Sequence, residues 1–137
     1  ETLRESEGGT YGASVATVCG REPKNVAILQ VAFETNPESA EKLARLAVDG
    51  VQKLIAEGIP ADKFDMILKN VQKNIPQDRI SNGYWGSVLQ KYIEFGEMYD
   101  SEYEQAVNTA TPEAVVEAVK KLVDAGNFIQ LIVSPEN

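Results

Sequence analysis

The spacing of hydrophobic residues changes period at Asn36, from two to about 3.6. Before it, apolar and polar residues alternate in two segments. Across residues 10–19, Tyr11, Ala13, Val15, Thr17 and Cys19 share one side. Across residues 26–34, one face holds Val26, Ile28, Gln30, Ala32 and Glu34, and the other holds Ala27, Leu29, Val31 and Phe33. The second face is continuously apolar, as in a strand packed on helices. The link from Gly20 to Asn25 has turn chemistry, and Pro23, with no N–H for a ladder, belongs in the turn of a hairpin.

Beyond that point the pattern is helical. Asn36-Pro37-Glu38 sets an N-cap, a proline at the first helical position and an acid in the first turn. Ala40, Leu43, Ala44, Ala47, Val51, Leu54 and Ile55 then form one stripe, which Gly58 closes. A second helix begins near Pro60 with Phe64, Ile67, Leu68, Val71 and Ile75 on one face, and Pro76 is expected to end or bend it. A third runs from about Asn82 to Gly96 with Trp85, Val88, Leu89 and Tyr92 in register, and a short helix is expected over residues 101–107. Thr111-Pro112-Glu113 repeats the cap, proline and acid signature. It opens a last helix carrying Val115, Ala118, Val119, Leu122 and Val123, which Gly126-Asn127 ends. Residues 128–133 are expected as a closing strand.

Strands segregated from helices in this order predict an α+β fold, an antiparallel sheet with helices packed on one face. No repeat, low-complexity tract or linker interrupts residues 1–137, which read as a single domain. Three strands make a small sheet for so many helices. Further strands, from before Glu1 or from another chain, are expected to complete it. The opening run Glu1-Thr2-Leu3-Arg4-Glu5 reads as a last helical turn stopped by Gly8-Gly9, which makes a fragment boundary the expected reason for the start at Glu1. An exposed sheet edge is expected to favour a homo-oligomer or a swapped dimer.

Charge and composition narrow the chemistry. Thirteen basic residues face twenty-one acidic ones for a net charge of −8, with no basic cluster, which argues against nucleic acid and anionic membrane as partners. No window approaches the roughly 18 apolar residues that span a bilayer. The sequence contains no histidine, and a hydrolytic zinc site needs three protein ligands that usually include it. Cys19 is the only cysteine, so no internal disulfide forms, and its apolar run predicts a buried, inert thiol. The carboxylate pairs Glu5 and Glu7, and Glu38 and Glu41, read as solvated charge. Asp62, Asp65 and Asp78 lack calcium-loop spacing. Trp85 reads as a core residue.

Arg4 and Tyr11 remain, seven residues apart around a glycine-rich turn. An arginine supplies a fork of donors and a tyrosine one phenolic hydroxyl, a pair able to grip a peptide carbonyl or an oxyanion. By residue type alone the favoured reading is an arginine capping its helix and a tyrosine half-buried on the sheet surface.

Leu3-Arg4-Glu5 followed by Gly8-Gly9-Thr10-Tyr11-Gly12 resembles the Leu-Arg-Glu…Gly-x-x-Tyr element of the pitrilysin/insulysin family of zinc metallopeptidases, the inverzincins. Phe33…Asn36-Pro37, Gly58-Ile59-Pro60, Asn82-Gly83-Tyr84-Trp85 and the Thr111-Pro112-Glu113 helix start are similar to family features in order and spacing. The resemblance implies a LuxS/mitochondrial-processing-peptidase-like metallohydrolase fold, here as a truncated C-terminal domain. It also implies two halves enclosing a chamber, with peptide as substrate. The zinc motif, His-x-x-Glu-His, would lie on a zinc-bearing N-terminal domain of the same polypeptide or on a paired subunit. Arg4 and Tyr11 match the family's Arg and Tyr in type and spacing, so the resemblance implies that they bind substrate. Zinc would belong to the parent enzyme and not to this chain, and the segment alone would be inactive. Some family members are non-catalytic scaffold subunits, and a stand-alone binding domain is a third reading. Low cysteine content fits cytosol or bacterial envelope, with the periplasm slightly preferred.

Overall fold

The computed structural model describes residues 10–21 and 24–134, and the side chains of Thr10 and Tyr11 lie outside that description. The two alternating segments pair as their pattern requires. β1 (Thr10–Gly20) and β2 (Val26–Thr35) form an antiparallel two-stranded sheet. Ala13 lies opposite Phe33, Val15 opposite Val31, Thr17 opposite Leu29 and Cys19 opposite Ala27. Directly opposed residues share a face, so the two largely apolar sides merge into one. Leu29, Val31 and Phe33 on that face are half-buried, whereas Val15 beside them is 68% exposed.

The expected closing strand is absent. Among the described residues the sheet has two strands, and residues 128–133 carry no regular secondary structure. Strand propensity marks a segment that suits a pleated, half-buried surface, but it does not supply the neighbouring edge. Phe128, Ile129, Leu131 and Val133 accordingly lie exposed.

The described residues divide into two compact units, one reaching to Gly58 and resuming at Val116, the other spanning residues 59–115. In the first, the proline start predicted at Pro37 is a single 3-10 turn, Pro37–Ser39, leading into α1 (Ala40–Glu57). Asn36 has the extended backbone of an N-cap, yet its side chain makes no capping bond. Its carbonyl instead accepts from the Ser39 N–H at 2.9 Å. Every member of the predicted α1 stripe is buried or half-buried, with Leu43 fully enclosed. Gly58, at φ +79°, ends α1 in a conformation that side chains resist, and its N–H closes on the Leu54 carbonyl.

The second unit holds α2 (Ala61–Asp78), α3 (Asn82–Phe95), α4 (Tyr99–Asn108) and the start of α5 (Pro112–Asp124). α2 continues past Pro76 to Asp78, because a proline in the final turn removes one ladder bond with little helix left to disrupt. Ile75, Val88 and Val107 are its buried apolar residues. The register read for α3 is rotated: Tyr84, Val88 and Lys91 are its covered positions, while Trp85, Leu89 and Tyr92 are exposed. The second cap, on α5, is made as its residues predict, with the Ala114 N–H donating to Thr111 Oγ1 at 3.2 Å.

Candidate functional site

Arg4 lies outside the described residues, as does the Gly8-Gly9 turn. Tyr11 is described in its backbone, which is irregular at that point. Thr10 pairs with Thr35 and Gly12 with Glu34, so Tyr11 is the extra residue of a β-bulge. A bulge bends its strand and re-aims a side chain, and bulges concentrate beside active sites. The residue picked out by resemblance therefore sits where β1 breaks its alternation, a feature that the alternation itself did not reveal.

Cys19 corrects an expectation. It is a free thiol on an exposed stretch of β1, opposite Ala27, which is exposed as well. The acidic residues meet theirs where they are described: Glu41 forms an exposed i,i+4 pair with Arg45 on α1. Among the described residues no group of three or more His, Cys, Asp or Glu could hold a metal ion. With histidine absent from the whole sequence, a catalytic zinc set does not fit these residues. No described helix is long and apolar enough to cross a membrane.

One polar constellation was not anticipated. Arg79, just past the end of α2, makes a two-point bond to Asp100 on α4, Nε to Oδ1 at 2.8 Å and Nη2 to Oδ2 at 2.9 Å. The same Nη2 donates to Glu104 Oε2 at 2.6 Å. Tyr84 on α3 donates its hydroxyl to Asp100 Oδ1 at 2.6 Å, and Trp85 Nε1 donates to the Arg79 carbonyl at 2.8 Å. Tyr84 and Trp85 meet edge to face, with ring centres 5.5 Å apart. The guanidinium thus ties the end of α2 to α4, and the aromatic pair brings in the start of α3. The one sequence signal was Asp100 and Glu104 at i,i+4, which places both carboxylates on one helix face. Their cation lies more than twenty residues earlier, beyond the reach of local spacing.

The cluster is a fastener whose donors and acceptors serve one another. Hydrogen bonding to Arg79, then to Tyr84, holds the Asp100 carboxyl below its usual range. The Tyr84 phenol is pushed up to about 12, first by its bond to Asp100 and then by burial. Both ends of the pH scale should therefore weaken it. The carboxylate's contribution is complete above its unfolded value, about 3.9, and is lost as pH falls through the lower folded value. The phenol's contribution holds below its unfolded value of about 10 and is lost as pH rises through about 12. Asp100→Ala should lower Tm at neutral pH and flatten both limbs of a melting-temperature profile. Parallel profiles for variant and wild type would contradict the assignment.

No protein-family model matches the chain. Over 121 residues, 87% of its length, it is 27% identical to the probable zinc protease PqqL of Escherichia coli strain K12, and covers 13% of that protein. The crystal structure of the periplasmic protease PqqL from Escherichia coli matches it with a TM-score of 0.67 and 26% identity, over 87% of this chain and 14% of that one. The chain is a homologue of a pitrilysin/insulinase-family zinc protease. It spans about one-seventh of that relative's length. Among the described residues, the α+β arrangement of two strands and five α-helices agrees with part of a domain of the peptidase fold.

Proposed function

We propose that residues 1–137 form a partial, substrate-binding C-terminal domain of a zinc-dependent metalloendopeptidase whose metal site lies on another domain or a paired subunit. The observation that carries this reading is the 27% identity to a probable zinc protease over 121 residues of a sequence that has no histidine. This chain's own part is to hold the peptide. Arg4 offers a forked, permanently charged donor and Tyr11 a single hydroxyl. Together they bind a backbone carbonyl and strengthen that bond as its oxygen gains negative charge. The backbone bulge at Tyr11 supports this role, because β-bulges concentrate beside active sites. Peptide is the substrate class. The periplasm is the proposed compartment, after the structural relative.

Two measurements test the division of labour. The isolated chain, dialysed against zinc and washed, should retain no stoichiometric metal and should not cleave peptides. Chelator-sensitive turnover by this chain alone would overturn the proposal. The reading frame that encodes it, or a subunit co-purifying with it, should carry a His-x-x-Glu-His motif. A frame and a set of partners without one would leave a scaffold in place of a peptidase.

A further inference from the structure

Asn82-Gly83 is the one Asn-Gly pair in the sequence, and every other asparagine with a residue after it precedes Val, Pro, Ile, Thr or Phe. The pair has a chemistry of its own. A backbone nitrogen can attack the side-chain amide of the residue before it, and glycine, with no Cβ, leaves that nitrogen unscreened. The backbone does not demand glycine here. The glycines at positive φ are Gly58, Gly96 and Gly126, and a Cβ on Gly83 would meet Ser81 Oγ at an ordinary 3.5 Å.

Asn82 and Gly83 open α3, so the Gly83 N–H is among those that a helix ladder leaves unpaired. Helical backbone at Asn82 still turns that nitrogen away from the side-chain carbon, and attack requires the first turn to open. Little within α3 resists opening. Ser81 stands at the N-cap, but its side chain makes no capping bond, and the bond from the Trp85 N–H to the Ser81 carbonyl is long at 3.4 Å. The Arg79 fastener closes the turn instead, through the two residues that follow Gly83. Tyr84 donates to Asp100 Oδ1 at 2.6 Å, and Trp85 Nε1 donates to the Arg79 carbonyl at 2.8 Å.

We propose that Asn82 is a site of spontaneous deamidation, and that the fastener sets its rate by holding the first turn of α3 closed. In the open turn the Gly83 nitrogen gives its proton to hydroxide and bonds to Asn82 Cγ. The Cγ–Nδ2 bond breaks, and Nδ2 takes a proton from water and leaves as ammonia. Water then opens the cyclic imide. Cleavage at Cγ yields aspartate, and cleavage at the backbone carbonyl yields isoaspartate, whose chain runs through Cβ. The net change is amide plus water to carboxylate plus ammonium, with no oxidation or reduction. Isoaspartate lengthens the backbone just ahead of Tyr84 and Trp85, so both lose register with Asp100 and Arg79 and the turn stays open. This inference does not depend on the peptidase reading.

Peptide mapping of the 137-residue chain, aged at mildly alkaline pH, should find aspartate and isoaspartate at position 82 well ahead of any other asparagine. The same chain unfolded in urea should react there at least about tenfold faster, since the closed turn no longer protects it. Tyr84→Phe keeps the ring and loses a bond to a charged group, and should speed the native reaction about tenfold. Gln72→Ala removes a 3.0 Å bond to Asn108 that joins α2 to α4 through other residues, and should leave the rate unchanged. Gly83→Ala should fold and suppress the reaction. Two results on the wild type, which need no variant to fold, would overturn the proposal: no excess reaction at Asn82, or equal rates in the folded and unfolded chain. Equal acceleration by Gln72→Ala and Tyr84→Phe would overturn the fastener's part in it.

Discussion

In a zinc-bearing polypeptide that contains this segment, Arg4→Ala should lower kcat/KM by about ten- to a thousandfold, and Tyr11→Phe should do the same within that range. The span corresponds to about 1.4–4 kcal/mol of lost transition-state stabilisation, the scale of one oxyanion donor. The two substitutions separate different contributions. Tyr11→Phe keeps the ring and removes only the hydroxyl, so a packing role for the ring predicts little change. A donor that serves only the transition state lowers kcat with KM unchanged, whereas one that grips the resting carbonyl equally raises KM instead. Arg4→Lys keeps the positive charge but loses the planar fork, and should recover part of the Arg4→Ala loss. Wild-type kcat/KM in both Arg4→Ala and Tyr11→Phe would remove these residues from substrate binding.

The periodicity was readable where a side chain's surroundings lie within the chain. The α1 stripe from Ala40 to Ile55 and the alternation of Leu29, Val31 and Phe33 both emerge as covered positions. It misled where burial depends on a neighbour that periodicity cannot supply. Residues 128–133 have the composition of a strand without a paired edge, and Trp85 has the bulk of a core residue while lying 41% exposed. Cys19 was misplaced for the same reason, since an apolar run says which face a residue shares and not whether that face is covered. The Arg79 cluster escaped because its partners meet only after three helices fold together. Arg4 and Tyr11 stood out by resemblance rather than by residue physics. The bulge at Tyr11 is the one structural feature of the candidate site that the alternating pattern concealed.

Leu43→Ala should cost about 3 kcal/mol of stability, the middle of the range for emptying a fully enclosed leucine site. Leu43 is 0% exposed, the only described side chain enclosed to that degree, and it lies on α1 in the unit that also contains the hairpin. Few other buried residues share the load, so little surrounding core can collapse into the space. A domain of this size has only about 5–15 kcal/mol to lose, so the substitution should move the urea midpoint well below wild type. Leu43→Met nearly conserves volume and should cost less than about 1.5 kcal/mol. Ile129→Ala, at a 90% exposed position, should stay within about 0.5 kcal/mol. That ordering ties the hairpin to α1: if Leu43 supports the unit that holds the Tyr11 bulge, unfolding followed at the hairpin and at α1 should give coincident curves. A Leu43→Ala chain with an unchanged midpoint would mean that this unit draws its stability from somewhere other than the α1 stripe.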